Sequence, residues 1–286
     1  LENDDARVAA AAVEALGRLA DESDNDANCA AIVEAGGIPA FLAFLATNGS
    51  AEGQKWAARA LRKLASKNTA NKVAIVEAGG IEAIVTLVAN GSGGDDVLEE
   101  ATGVLRKLAR NATNRAAIFE RLVGFLSRGA AARSQYQATF ALLGLASNDA
   151  NRVAIVAAGA VDPLYALACA GGSLKAAAVA ALKSINPAAM AWALRHRKRR
   201  DYPLLLATGA RIPPGADDAY LRKVAAAGGF PAYEKAHRTR LLATFTPKFT
   251  HLVPEELVPL IVEFSRDFES SLGYQCVQQR CDIGRS

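Results

Sequence analysis

The chain has 286 residues, 51% of them hydrophobic and 22% charged, with a net charge of +4. This composition excludes a disordered tail, and the charge is too small for a general nucleic-acid binder. Alanine occurs 62 times and strand formers are not enriched, which favours close-packed helices over a β-sandwich or barrel. No apolar run reaches the roughly 20 residues of a membrane-spanning helix, and no secretory leader is visible. The chain is therefore expected not to be transmembrane and to reside inside the cell, in the cytoplasm. Its first residue is Leu1 rather than Met, so a fragment or a processed product is expected.

In chain order, the first element is a helix over residues 6–20, with Val8, Val13, Leu16 and Leu19 expected to pack onto the next unit. After it the sequence repeats itself. Residues 28–38 read NCAAIVEAGGI, residues 71–81 NKVAIVEAGGI and residues 151–161 NRVAIVAAGAV. Residues 114–119 read NRAAIF, and the AGG segment that should come next is missing. The units thus start near Asn28, Asn71, Asn114 and Asn151, and the third is expected to have a truncated connection between its first two helices. Each unit closes alike, with ALGRLA (15–20), ALRKLA (60–65), VLRKLA (104–109), ALLGLA (141–146) and ALKSI (181–185). The first ending has no beginning, so the chain enters in mid-repeat, and further repeats or a partner are expected on that side.

Punctuation divides a unit into three helices. Asn71 reads as the N-cap of a short helix over 72–77. Ala78-Gly79-Gly80 stops it, because glycine takes the left-handed conformation that ends helices. A second apolar helix covers 81–89, and Asn90-Gly91-Ser92-Gly93-Gly94 is a loop. A third helix starts at Asp95-Asp96, acids at its positive end, and runs to about Arg110. Its buried stripe is Val97, Leu98, Ala101, Leu105 and Leu108.

A period near 42 residues, the AIVEAGGI element after an Asn, and the closing ALxxLA resemble the armadillo repeat over residues 1–186. The resemblance implies an all-α fold, a right-handed superhelix of stacked helices. It also implies that the third helices line a concave groove holding an extended peptide or another protein. In importin-alpha-like members, a Trp and an Asn four residues apart on the third helix grip the peptide. Here the Asn positions hold Arg18, Lys63, Lys107, Gly144 and Ser184, and the Trp positions hold Glu14, Arg59, Gly103, Phe140 and Ala180. The Asn ladder is absent, so recognition of basic nuclear signals is not carried over. The replacement, a basic row, is similar to the groove of beta-catenin, whose lysines and arginines meet acidic ligands.

Trp56, Arg59 and Lys63 share one helical face, and stacking should align Arg18, Lys63 and Lys107. The candidate groove residues are Arg18, Trp56, Arg59, Lys63, Lys107 and Phe140, with Trp56 as apolar anchor and Phe140 expected to pack in the core. The partner expected is another protein, either an acidic extended segment or a subunit of a larger complex. The opposing reading is a set of solvated surface charges.

Pro187 is expected to end the repeats, leaving 187–275 as a basic helical C-terminal extension and 276–286 as a polar tail. Residues 195–200 hold five Lys/Arg and one His, which read as a solvated helix end, a nuclear-import signal or an acidic-partner contact. Residues 202–210 resemble the second helix and turn of an ankyrin-type unit, and helices are expected over 217–227 and 231–245. Residues 252–264 resemble the opening of an F-box, so the alternative function is a ubiquitin-ligase substrate adaptor.

Chemistry has little support. His196, His237 and His251 are the only histidines, and no GxSxG, P-loop or HExxH motif occurs. Cys29 and Cys169 fall in helical patterns and are expected to be buried thiols, whereas Cys276 and Cys281 could form a disulfide or half of a metal site but read as free thiols in a reducing compartment. Three Asn-x-Ser/Thr sequons, at Asn48, Asn90 and Asn111, read as accidental. No enzyme activity, cofactor, metal or small-molecule substrate is expected, and the function expected is that of a protein-interaction scaffold.

Overall fold

The fold was analysed in a computed structural model. It describes residues 2–21, 26–47, 50–127, 129–170, 172–196, 202–207, 209–213 and 218–229, and scattered positions from 232 to 243. Among these there is no strand. A lone helix α1 (Glu2–Asp21) precedes the triplet α2 (Asp26–Glu34), α3 (Gly37–Ala46) and α4 (Ala51–Lys67). A second triplet is α5 (Thr69–Glu77), α6 (Gly80–Asn90) and α7 (Asp95–Leu108). Then come the pair α8 (Ala112–Gly124) and α9 (Ala132–Leu145), and the triplet α10 (Asp149–Ala157), α11 (Val161–Ala170) and α12 (Ser173–Arg195). The short helices α13 (Tyr202–Ala207) and α14 (Ala219–Ala226) come last.

The closing helices form one row: α1 packs on α4, α4 on α7, α7 on α9 and α9 on α12. The second helices stack beside them, α3 on α6, and α6 packs in turn on α8 and α9. The reason lies in the repeated ending. Leu61, Leu105, Leu142 and Leu182 hold the same place in their units, as do Leu64, Leu108, Leu145 and Ile185, and all are fully buried in one continuous core. No single unit covers both sides of such a stripe, so neighbours must stack.

α1 departs from expectation. Its contact face with α4 is Ala10, Val13, Gly17 and Ala20, at helical i, i+3, i+7, i+10 spacing, with Val13 and Ala20 buried. Val8, Leu16 and Leu19, expected to pack, are exposed at 69%, 36% and 39%. Leu16 and Leu19 correspond to Leu61 and Leu64, which the unit's own second helix, α3, helps to cover on α4. At Gly17 an added Cβ would lie 2.9 Å from the Trp56 carbonyl oxygen, so glycine sets how closely α1 and α4 approach.

Asn71 does not cap α5. The cap is Asn68, whose Oδ1 accepts from the Asn71 amide at 2.7 Å. Asn71 is buried, and its Nδ2 donates to the Leu64 carbonyl at 3.1 Å. Asn148 and Asn151 repeat the arrangement, with Asn151 donating to the Leu145 carbonyl at 2.7 Å. The Asn at each of these two unit origins thus satisfies a carbonyl that the preceding helix end leaves free.

The glycine corner forms as expected, and its two glycines have different jobs. Gly36, Gly79 and Gly159 have φ of 77°, 78° and 84°, a region costly for residues with a Cβ. Gly80 has no such φ, but an added Cβ would lie 2.5 Å from the Ile75 carbonyl oxygen, and one on Gly37 would lie 2.7 Å from that of Ile32. In the last triplet alanine, Ala160, holds this second place. The chain turns more sharply there, by 83°, against 72° between α2 and α3 and 74° between α5 and α6.

The unit with no AGG goes further than a truncated connection. Residues 112–124 run as the single helix α8, so a two-helix unit sits between three-helix ones. The boundary expected at 186/187 lies inside α12 rather than in a linker. Residues 174–186 and 188–195 differ in direction by 65°, the kink expected where proline removes a backbone donor. The corner also recurs downstream, where Ala227-Gly228-Gly229-Phe230-Pro231-Ala232 parallels Ala35-Gly36-Gly37-Ile38-Pro39-Ala40. Gly228 has φ 86°, and its amide donates to the Ala225 carbonyl at 3.0 Å, as Gly36 does to Val33. Residues 252–264, Cys276, Cys281, His251 and most of 195–200 lie outside the described residues.

Two substitutions check this reading in urea titrations. Gly80→Ala is expected to cost about 1–3 kcal/mol, the usual penalty of forcing atoms into a packed site. Asn71→Ala, which leaves the Leu64 carbonyl without its partner, is expected to cost about 1–3 kcal/mol.

Candidate functional site

The face of the closing-helix row carries the charged and aromatic side chains that stacking leaves uncovered. Arg18, Lys63 and Lys107 sit at equivalent positions on α1, α4 and α7, but their surroundings differ. Lys63 Nζ lies 3.3 Å from Asp21 Oδ1 and donates to the Asp21 carbonyl at 3.3 Å. Arg59 grips the same carboxylate, with Nε donating to Oδ2 at 2.7 Å and Nη2 in ion-pair contact with the same oxygen at 2.5 Å. Asp21 ends α1, so this cluster ties α1 to α4. Burial by itself would raise the Asp21 pKa, but the hydrogen bonds from Arg59 and Lys63 and their charges hold it below the usual 3.8.

The next junction is joined through Glu100 on α7. Its Oε2 lies 2.6 Å from Arg62 Nε, a close ion pair rather than an aligned hydrogen bond. Arg62 NH2 donates to Oε1 at 3.3 Å, and Arg59 NH1 lies 3.7 Å from that oxygen. Arg59 therefore bridges acids on α1 and α7. Sequence reasoning missed Asp21, Arg62 and Glu100, because the partners lie some 38 residues apart in the chain and meet only through stacking.

Trp56, expected as an open apolar anchor, is enclosed. The Arg18 and Arg59 guanidiniums lie 5.2 and 5.5 Å from its ring centroid, within cation–π range. Its Nε1 donates to Glu52 at 2.9 Å. Arg18 also pairs with Glu14 at 2.6 Å. Phe140, expected in the core, is instead 48% exposed on α9, stacked on Tyr136 at 6.0 Å between ring centroids.

Lys107 stands apart. Among the described residues it has no hydrogen bond or ion pair. Its pKa is lowered, first by burial and then by the positive charges of Arg110, Arg62, Arg106 and Lys72. The part of the row near α1 is thus neutralised from within, whereas α7 presents a cation among cations, with exposed Phe140 on the neighbouring helix. No group of His, Cys, Asp and Glu among the described residues could hold a metal ion. None of their helices is by itself long and apolar enough to cross a membrane.

Residues 25–66 and 68–110 each match the Armadillo/beta-catenin-like repeat. The chain is an armadillo-repeat protein. Armadillo repeats mediate protein–protein interaction, and the fold is typically a non-enzymatic binding scaffold. Among solved structures, the armadillo chain is similar to an engineered protein at 32% identity, covering 69% of this chain and 82% of that one, with a TM-score of 0.42. A second engineered protein has 26% identity over 70% and 80% of the two chains, with a TM-score of 0.44. A designed armadillo repeat protein in complex with the peptide (KR)4 has 24% identity over 68% and 82%, with a TM-score of 0.43. No curated protein sequence matches the chain.

The Asp21 cluster makes the α1–α4 joint acid-sensitive. A carboxyl with a depressed folded pKa adds stability that is complete above its unfolded value and lost as pH falls through the folded one. Amide protection in α1, taken relative to the intrinsic exchange rate at each pH, should therefore fall on acidification below about pH 4. Asp21→Asn should remove that dependence and leave α1 fast-exchanging at neutral pH.

Proposed function

We propose that this armadillo-repeat protein is a scaffold that holds an acidic, extended segment of another protein on the face formed by α4, α7 and α9. The observation that carries the reading is Lys107, half-buried, without an anionic partner among the described residues, and pressed by four neighbouring cations. Holding such a charge costs the free protein stability, and an approaching carboxylate relieves that cost. Charge-assisted bonds of this kind are about twice as strong as neutral ones, though a partly exposed pair contributes only about 0.2–1 kcal/mol. The exposed Phe140 on the neighbouring helix α9 offers an apolar contact of the type that dominates interfaces. Arg59 and Lys63 belong to the internal structure rather than to the ligand contact, because Asp21 occupies them. The rival use of residues 252–264 as a ligase-docking helix lies outside the described residues and has no observation in its favour.

The test is fluorescence anisotropy with labelled octapeptides of alternating glycine and glutamate, or glycine and glutamine. The glutamate peptide should bind, the glutamine peptide should bind at least tenfold more weakly, and the difference should shrink in 1 M salt. Lys107→Glu should abolish the preference while leaving helix content unchanged by circular dichroism. Equal binding of the two peptides by the unaltered chain would sink the reading.

A further inference from the structure

The repeat supplies its own picture of a filled anion site. Lys63 is met by Asp21, three residues after Arg18 on the preceding closing helix. One unit on, Lys107 takes the place of Lys63, and the residue three after Lys63 is Ser66. Ser66 is neutral and exposed near the end of α4, and its hydroxyl donates to the Arg62 carbonyl at 2.7 Å. The carboxylate that neutralises one lysine thus has no counterpart at the other. At the same place in the next unit, just past the end of α7, the chain carries Arg110, one of the cations that press on Lys107.

We infer that Lys107 and the C-terminal end of α4 around Ser66 form the counterpart of the Lys63–Asp21 site, and that a partner's Asp or Glu side chain takes there the place Asp21 takes on Lys63. This rests on the proposed function and deepens it by naming the group recognised and the position it occupies. Three observations converge: the shared register of the two lysines on stacked helices, the Asp-to-Ser change at the donor position, and the absence of any internal acid on Lys107 among the described residues. The Asp21 geometry supplies the expected contact, with Nζ about 3.3 Å from a carboxylate oxygen. The inference also explains why one lysine in the row serves the fold and the next serves a ligand.

An aspartate placed at 66 should mimic Asp21 and compete with the partner. Ser66→Asp is compared with its neutral isostere Ser66→Asn in the 286-residue chain, and both again in a Lys107→Met background. Without peptide and at low salt, the aspartate variant should melt about 2 °C above the asparagine variant, and the gap should vanish with Lys107→Met. With the glycine–glutamate octapeptide, Ser66→Asp should weaken binding at least threefold, whereas Ser66→Asn should leave it within experimental scatter. Equal melting of the two variants overturns the geometry, since an acid at 66 then does not reach Lys107. A melting gap with unchanged peptide affinity overturns the assignment of the partner's carboxylate to this site, while binding by the unaltered chain keeps the broader reading. If the unaltered chain ignores the glutamate peptide, the proposed function falls, and the melting cycle decides the Lys107 geometry alone.

Discussion

Stacking of one closing helix on the next is the interaction on which the rest of the molecule depends. Each carries a stripe of leucine, alanine and valine that its own unit cannot cover, and burial of that stripe joins residues 13 to 221 into a single core. The gain per buried side chain is about 1.5–3 kcal/mol, repeated at every junction. Because the stripe recurs in register, the side chains that flank it recur in register too. A charge at one position of the repeat therefore meets the charge at a fixed offset in the unit before it. Asp21 on Lys63 and Arg59, and Glu100 on Arg62, arise from that geometry.

The corner between the first two helices sets how each unit presents its stripe. One glycine takes a backbone conformation that a side chain would strain, and the next lets the helix start pass the carbonyl of an isoleucine five residues earlier. Where alanine replaces the second glycine the corner turns more sharply, and where the segment is missing α8 replaces two helices. The solenoid tolerates both changes because α9 still reaches α7 and α12. Phe140 stays exposed on α9, stacked on Tyr136.

Charge along the row is distributed unevenly. Near α1 the cations are neutralised within the chain and enclose Trp56. On α7 the same repeat position has positive neighbours and no acid among the described residues. An alternation of internally satisfied and ligand-seeking positions is open to any repeat protein, because one substitution per unit changes a site without touching the stripe that holds the stack. Pro187 shows the same tolerance, since a residue that reads as a terminator bends α12 and lets the helix continue.

The sequence by itself determined the helical class, the repeat length, the glycine corners and most of the buried stripe, because each rests on periodicity and on the conformational limits of single residues. Val97, Ala101, Leu105 and Leu108 are buried as their spacing demands. The caps were misplaced by three residues, although every unit carries an Asn-x-x-Asn pair that could have revealed them. What the sequence could not determine was which side of α1 is covered, or whether a given lysine is free. Both depend on what an adjacent unit places a few ångströms away. Leu16 and Leu61 have the same local pattern, yet one is exposed and the other buried. Lys63 and Lys107 sit in the same RKLA tetrapeptide, yet one holds Asp21 and the other no acid among the described residues. Only the tertiary structure decided these, because burial and ion pairing are properties of the neighbour as much as of the residue.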